Sequence, residues 1–272
     1  MVTLSKSRIE AALRASDREP AGKLVAYLTA GDPGLADTGG LLSALDRGGA
    51  DLIELGVPFS DPMADGPVIQ RASERAIRAG ATLHKLLERL PEWLAALKTP
   101  LILFSYYNPV LQYGLDRFAG ELASAGAAGA LIVDLSPEEA GDYIHSMRRE
   151  NLDTIFLASP TSTGARLRQI AGLSTGFVYV ISRPGVTGER ASISGEVSPL
   201  IARLRQLTQL PLAVGFGLSN PEQVAQVQHL ADAAVVGSAL VRAVEERYAR
   251  EGAEGIERFV RWLKSGAGSS FA

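Results

Sequence analysis

Eight short apolar runs recur along the chain. They are LVAYLT (24–29), DLIELG (51–56), PLILFSYY (100–107), GALIVD (129–134), TIFLAS (154–159), FVYVIS (177–182), PLAVGF (211–216) and AAVVG (233–237). Between them lie Ala/Leu/Arg/Glu-rich stretches whose apolar residues return at helical spacing, as at Leu83, Leu86, Leu87 and Leu90 and at Leu200, Leu204 and Leu207. Strands of this kind alternating with helices predict a parallel sheet covered on both faces. Eight such units with no linker predict an α/β protein whose sheet closes into a (β/α)8 TIM barrel, a single domain over residues 1–272. The first residues add a short amphipathic helix with Ile9, Ala12 and Leu13 on one side, and GAGSSFA (266–272) reads as a frayed tail. A doubly wound open sheet is the competing fold. It expects a glycine-rich turn after its first strand, but TAGDPG (29–34) has the wrong spacing for a dinucleotide loop, and no Walker-type loop is present.

Composition narrows the classes. Hydrophobic residues make up 46% of the 272, enough for a sizeable core. A net charge of -3 without basic runs argues against nucleic acid and against an anionic membrane surface. With no cysteine, disulfides, thiolate metal sites and a cysteine nucleophile are excluded, and a cytoplasmic protein is expected. The N-terminus does not read as a signal peptide, and no stretch approaches the ~20 apolar residues of a membrane helix.

In a barrel of this kind the chemistry gathers where strands end. The second run continues into ELGVPFSDPMADGP (54–67). Alternation puts Leu52, Glu54 and Gly56 on the inward face and Ile53 and Leu55 against the helices. Glu54 then points into the barrel mouth, where burial tunes a carboxyl group for acid/base work. A structural carboxylate paired to an arginine is the alternative. Asp61 and Asp65 follow in SDP and ADG, both turn-like, and position alone leaves the choice between them open. The seventh run ends in GFG (215–217) and the eighth in GSAL (237–240), where a helix begins. Two glycine-rich turns on adjacent strands point to phosphate at GFG and GSAL, with glycines needed only for tight βα turns as the alternative. SRPGVTGER (182–190) has the composition of a mobile loop or of an ordinary surface one. His84, His145 and His229 lie far apart in helical stretches and form no metal site. Trp93 and Trp262 read as packing residues, and Ser105 lacks a partner to make it a nucleophile.

Together these segments resemble the α subunit of tryptophan synthase over essentially the whole chain. ELGVPFSDPMADGP carries most of the resemblance. TAGDPG, YYNPV (106–110), SRPGVTG (182–188), VGFGLS (214–219) and VGSALV (236–241) follow in the family's order. The resemblance implies a lyase that cleaves indole-3-glycerol phosphate to indole and glyceraldehyde 3-phosphate by a retro-aldol reaction. Glu54 would be the acid/base, and Asp65, not Asp61, would hold the indole N–H. Tyr27, Phe104, Tyr106, Leu131 and Tyr179 would line the indole pocket, and their parity puts each on the inward side. Gly188, Gly217, Gly237 and Ser238 would bind the phosphate, and Thr187 would meet Asp65 on loop closure. The resemblance also implies no cofactor in this chain and a β subunit carrying pyridoxal phosphate in an α2β2 complex. A free-standing lyase that releases indole is the alternative. Another phosphate-binding barrel would show a lysine at a strand end in the mouth, and a degenerate regulatory subunit would not keep Glu54 and Asp65. The chain departs from the family at LIVDLS (131–136), where Val133 and Ser136 replace two prolines of a common form and put loop stiffness in question.

Overall fold

The computed structural model describes residues 7–14, 22–181, 193–215 and 217–265. Nine parallel strands form one sheet: β1 (Lys23–Thr29), β2 (Leu52–Gly56), β3 (Leu101–Ser105), β4 (Gly129–Ile132), β5 (Asp153–Ile155), β6 (Leu157–Ala158), β7 (Val178–Ile181), β8 (Leu212–Gly215) and β9 (Ala233–Val236). β1 pairs with both β2 and β9, so the first and last strands meet. The ring's other junction lies inside the fifth apolar run. Here β5 pairs with β4 and β6 with β7, and Phe156 separates the two short segments while its carbonyl accepts from Tyr179 N at 3.1 Å. The expected eight-stranded barrel is therefore present, with its fifth strand split in two.

Among the described residues, eleven helices accompany the strands in chain order: α1 (Arg8–Leu13), α2 (Leu35–Gly48), α3 (Pro67–Arg78), α4 (Leu83–Ala95), α5 (Tyr107–Tyr113), α6 (Leu115–Ser124), α7 (Gly141–Arg149), α8 (Gly164–Leu173), α9 (Ile193–Arg205), α10 (Pro221–Gln228) and α11 (Ser238–Ser265). Their apolar stripes cover the outward strand residues, as Leu86, Leu87 and Leu90 of α4 join Ile53 and Leu55 in one cluster. Leu200 and Leu204 are buried in α9, whereas Leu207 lies past the helix end and is exposed, so the expected helical period stops one turn early. No helix among the described residues is long and apolar enough to cross a membrane.

The inward faces make a second cluster. Val25, Leu52, Ile102, Leu131, Ile155, Phe177, Ala213 and Ala233 fill the barrel, as two-residue alternation requires. Ile9 and Leu13 of α1 belong to the same cluster, fully buried, while Ala12 stays half-buried. Ser7 caps α1 by accepting from Glu10 N at 3.0 Å, and Arg8 donates to the carbonyls of Gly126 and Ala127 at 2.8 Å. Those carbonyls precede β4, so α1 covers the amino-terminal end of the barrel, opposite the strands' carboxyl ends.

If this plug holds the barrel floor, Leu13→Ala should lose about 2–5 kcal/mol of stability, the range for truncating a fully buried leucine. Chemical denaturation would measure it. A loss below about 0.5 kcal/mol, as at an ordinary surface site, would mean that α1 is not part of the core.

Candidate active site

Glu54 stands on β2 two residues above Leu52, its side chain 1% exposed. Its Oε1 has no hydrogen-bond partner among the described residues. The arginine partner that a structural carboxylate would need is absent among them. Burial alone pushes its pKa from 4.5 up to about 8, because an ion in an apolar pocket gives up its hydration without compensation. At neutral pH this group is a carboxylic acid.

Asp65 occupies the loop between β2 and α3. A turn closed by Asp65 N donating to Pro62 O at 3.0 Å sets its backbone, and its Oδ2 accepts from the Tyr106 hydroxyl at 3.1 Å. Burial raises its pKa to about 6, opposed by that hydrogen bond. Asp65 is thus an anion at the pH where Glu54 is neutral. Asp61, by contrast, is exposed and is occupied with the neighbouring Ser60 hydroxyl at 3.0 Å. The structure separates two aspartates that turn composition alone leaves equivalent.

The aromatic residues converge on the same mouth. Tyr27 meets Phe104 edge-on with centroids 5.5 Å apart, and Tyr106 lies against Phe59 at 5.0 Å. The Tyr106 hydroxyl also accepts from Ala64 N at 3.0 Å, which ties the Asp65 loop to the end of β3. Phe104 and Tyr179 border the inward cluster to which Leu131 belongs. Desolvation raises the pKa of both Tyr27 and Tyr179, and the charges of Glu54 and Asp65 raise both further, so the two carboxylates flank one space. Glycines make room for the tyrosines. A Cβ on Gly56 would lie 2.1 Å from the Tyr27 hydroxyl, and one on Gly215 would lie 2.5 Å from that of Tyr179.

Across the mouth, Gly237 precedes α11 and Ser238 begins it, with Val241 N donating to Gly237 O at 3.0 Å. The first N–H groups of α11 have no carbonyl before them in the helix and can face an anion. A Cβ on Gly237 would meet Tyr27 at an ordinary 3.6 Å, so packing among the described residues does not demand glycine there. Gly217, in the turn after β8, is exposed with φ +65°, a left-handed conformation at home in glycine. Phe216, Thr187 and Gly188, with the rest of SRPGVTGER, lie outside the described residues.

Hydrogen bonds hold the turn after β4. Asp134 Oδ1 accepts from Tyr107 N at 2.7 Å, joining the turn after β4 to the start of α5. Val133 N donates to Ser105 O at 2.9 Å and Ser136 Oγ to Glu139 at 3.1 Å. Proline at 133 could not make the first bond, so hydrogen bonds brace this turn where the common family form has proline rings. His84, His145 and His229 are exposed, and no metal-binding group of acidic and histidine side chains exists among the described residues. The lysine on a described strand, Lys23, starts β1 at the opposite end of the barrel from the mouth.

Residues 13–266 match the family model described as tryptophan synthase alpha chain. The tryptophan synthase alpha chain of Solibacter usitatus (strain Ellin6076) is 55% identical over 253 residues, covering 93% of this chain and 95% of its own length. That of Methanosarcina acetivorans is 46% identical over 246 residues, covering 90% and 88%. Among solved structures, tryptophan synthase subunit alpha from Legionella pneumophila str. Paris superposes with a TM-score of 0.87 at 36% identity, covering 96% of this chain and 98% of that one. A Mycobacterium tuberculosis tryptophan synthase structure gives 0.86 at 36% identity with the same coverage.

A pKa raised by folding carries a stability signature. Glu54 binds its proton more tightly folded than unfolded, so its contribution is intact below about 4.5 and is lost progressively as pH rises to about 8. Glu54→Gln removes that titration. Its melting temperature relative to the parent should therefore climb between pH 5 and pH 8, read by scanning calorimetry; a constant difference across that range would mean that Glu54 titrates like an exposed carboxylate.

Proposed function

Because this chain belongs to the tryptophan synthase alpha chain family, we propose a division of labour in its barrel mouth, with Glu54 moving protons and Asp65 balancing charge. The chain is a carbon–carbon lyase that cleaves indole-3-glycerol phosphate to indole and glyceraldehyde 3-phosphate in tryptophan biosynthesis, acting as an alpha subunit. The free-standing lyase that releases indole alone is not favoured by this membership. The alpha chain needs no cofactor of its own.

The observation that carries the assignment is the buried Glu54 carboxyl, whose Oε1 has no hydrogen-bond partner among the described residues. The reaction begins by protonating indole C3, which turns the ring into a cationic indolenine. A neutral acid at physiological pH is the group this step needs. Having given up its proton, Glu54 is a poorly solvated anion and a strong base. It takes the proton of the side-chain hydroxyl as the bond to C3 breaks. The bond's electron pair returns to the ring, the carbon that held the hydroxyl becomes the aldehyde, and Glu54 ends protonated as it began. Asp65, ionised in the same interval, accepts from the indole N–H and offsets the cation. Two carboxyl groups whose surroundings push their pKa values apart supply an acid and a counter-ion from the same chemistry.

Tyr27, Phe104, Tyr106, Leu131 and Tyr179 enclose the indole. Gly217, Gly237 and Ser238 hold the phosphate, Gly188 completes that grip, and Thr187 meets Asp65 when its loop closes. The remote phosphate contacts hold the reacting carbon beside Glu54. The chain works as one domain in the cytoplasm, without nucleic acid or membrane, in an α2β2 complex whose β subunits carry pyridoxal phosphate. Indole is small and apolar, so direct transfer to the partner prevents its loss. The loop at 56–67 borders the mouth, and docking there couples partner binding to the placement of Asp65.

Indole release from indole-3-glycerol phosphate, with and without the cognate β subunit, tests the reading. The parent chain should co-elute with that subunit and speed up by about tenfold or more on assembly. Glu54→Gln and Asp65→Asn should each lose at least about a hundredfold in rate while still co-eluting, and Asp61→Asn should not. A Glu54→Gln chain retaining a tenth or more of the rate contradicts the assignment.

The pH profile separates the two carboxyl groups. kcat/KM should rise as Asp65 ionises near pH 6 and fall as Glu54 ionises near pH 8. Tyr106→Phe removes the hydrogen bond that favours ionised Asp65, so the acidic limb should move to higher pH while the alkaline limb stays. Movement of both limbs, or of neither, would place the acidic limb elsewhere.

A further inference from the structure

Asp32, in the turn after β1, is 3% exposed and holds an arginine forty-three residues away. Its two carboxylate oxygens accept from Nε and Nη2 of Arg75, each at 2.9 Å. The remaining nitrogen of that guanidinium, Nη1, donates to Glu245 Oε1 at 2.8 Å. All three nitrogens of one rigid fork are thereby committed to two carboxylates on two other elements. Lysine, a point charge on a flexible stem, cannot reproduce this arrangement.

Each element tied to this node carries part of the mouth. Arg75 lies on α3, whose first turn anchors the catalytic loop: Gln70 Nε2 donates to the carbonyl of Asp65 at 2.9 Å and to that of Pro62 at 3.4 Å. Glu245 lies on α11, two turns below Gly237 and Ser238. Asp32 follows β1, which carries Tyr27. One side chain therefore joins the support of Asp65 to the helix that begins at the phosphate turn. A buried ion pair is seldom a large net source of stability. What it fixes here is a distance between two ends of a site.

We propose that Arg75 is a positioning residue that sets the spacing between the Asp65 end and the phosphate end of the mouth, so that one ligand is gripped at both. The proposal rests on the functional reading above. A ligand spanning two subsites gains from the second only when their separation matches its length, and a misplacement of about 1 Å can cost about a hundredfold. A ligand reaching one end alone does not sense the spacing.

The test compares three ligands by calorimetry on the full chain: indole, sn-glycerol 3-phosphate, and indole-3-propyl phosphate, which spans both ends and lacks the hydroxyl needed for cleavage. Glu245→Gln breaks only the half-exposed arm of the node, and Arg75→Lys keeps a charge beside buried Asp32. Affinity for the spanning ligand should fall about threefold in Glu245→Gln and about tenfold or more in Arg75→Lys, with each fragment within about twofold of the parent. kcat/KM in the complex with the β subunit should fall in step with the spanning ligand, and the melting temperature of Glu245→Gln should stay near that of the parent. Fragments that weaken in proportion to the spanning ligand would show a merely structural role and overturn the proposal, as would an unchanged spanning ligand. A parent chain that neither binds the spanning ligand nor cleaves substrate would overturn the functional reading itself, whereas an active parent with unaffected variants would overturn the positioning role alone.

Discussion

A carboxyl group sealed in an apolar barrel, with no counter-charge against it among the described residues, is the constraint around which this molecule is arranged. Leaving Glu54 ionised there would cost several kcal/mol, and the fold avoids the cost by keeping the proton on. A carboxylate at this position in a less enclosed barrel would ionise in the ordinary range and lose its use as an acid at neutral pH. The closed ring of strands, the aromatic wall and the plug at the far end all serve to exclude water around this one group. Asp65 needs the opposite treatment, and it receives it from the loop, where partial exposure and the Tyr106 hydroxyl keep the anion favoured.

The tyrosines and glycines of the mouth follow from the same demand. Tyr27 and Tyr179 are large enough to cover the carboxyl group, and each fits because the strand residue beside its hydroxyl is a glycine. Gly56 and Gly215 are thus spacers within the wall. Gly237 differs, since a Cβ there would meet only ordinary contact with Tyr27 among the described residues, whereas Gly217 is held by its left-handed φ of +65°. The absence of a side chain at Gly237 is better explained by what approaches from the mouth.

Much of this was legible in the chain because barrel geometry is periodic. Two-residue alternation is enough to turn Leu52, Glu54 and Gly56 inward together, and the same rule places Phe104, Leu131 and Tyr179. What was not legible depends on closure and on distance. TIFLAS is uniformly apolar, and nothing local marks Phe156 as the residue between β5 and β6; the break belongs to the way the ring closes. Turn chemistry could not rank Asp61 and Asp65, because the difference comes from Tyr106, forty-one residues further on. The Asp32–Arg75–Glu245 node had no sequence signal at all, since its members are ordinary surface-type residues separated by 43 and 170 positions. The replacement of proline by Val133 does not read from sequence as a source of stiffness, because the bond from its N–H to Ser105 O depends on a residue twenty-eight positions earlier.

The account stands on the protonation state of one side chain, and infrared difference spectroscopy reads it directly. With the parent chain compared against Glu54→Gln, a protonated carboxyl C=O band should be present at pH 7 and disappear with a midpoint near pH 8. A band already gone by pH 6, with a midpoint near the ordinary 4.5, would mean that Glu54 is solvated and ionised in the barrel, and the account would fail at its foundation.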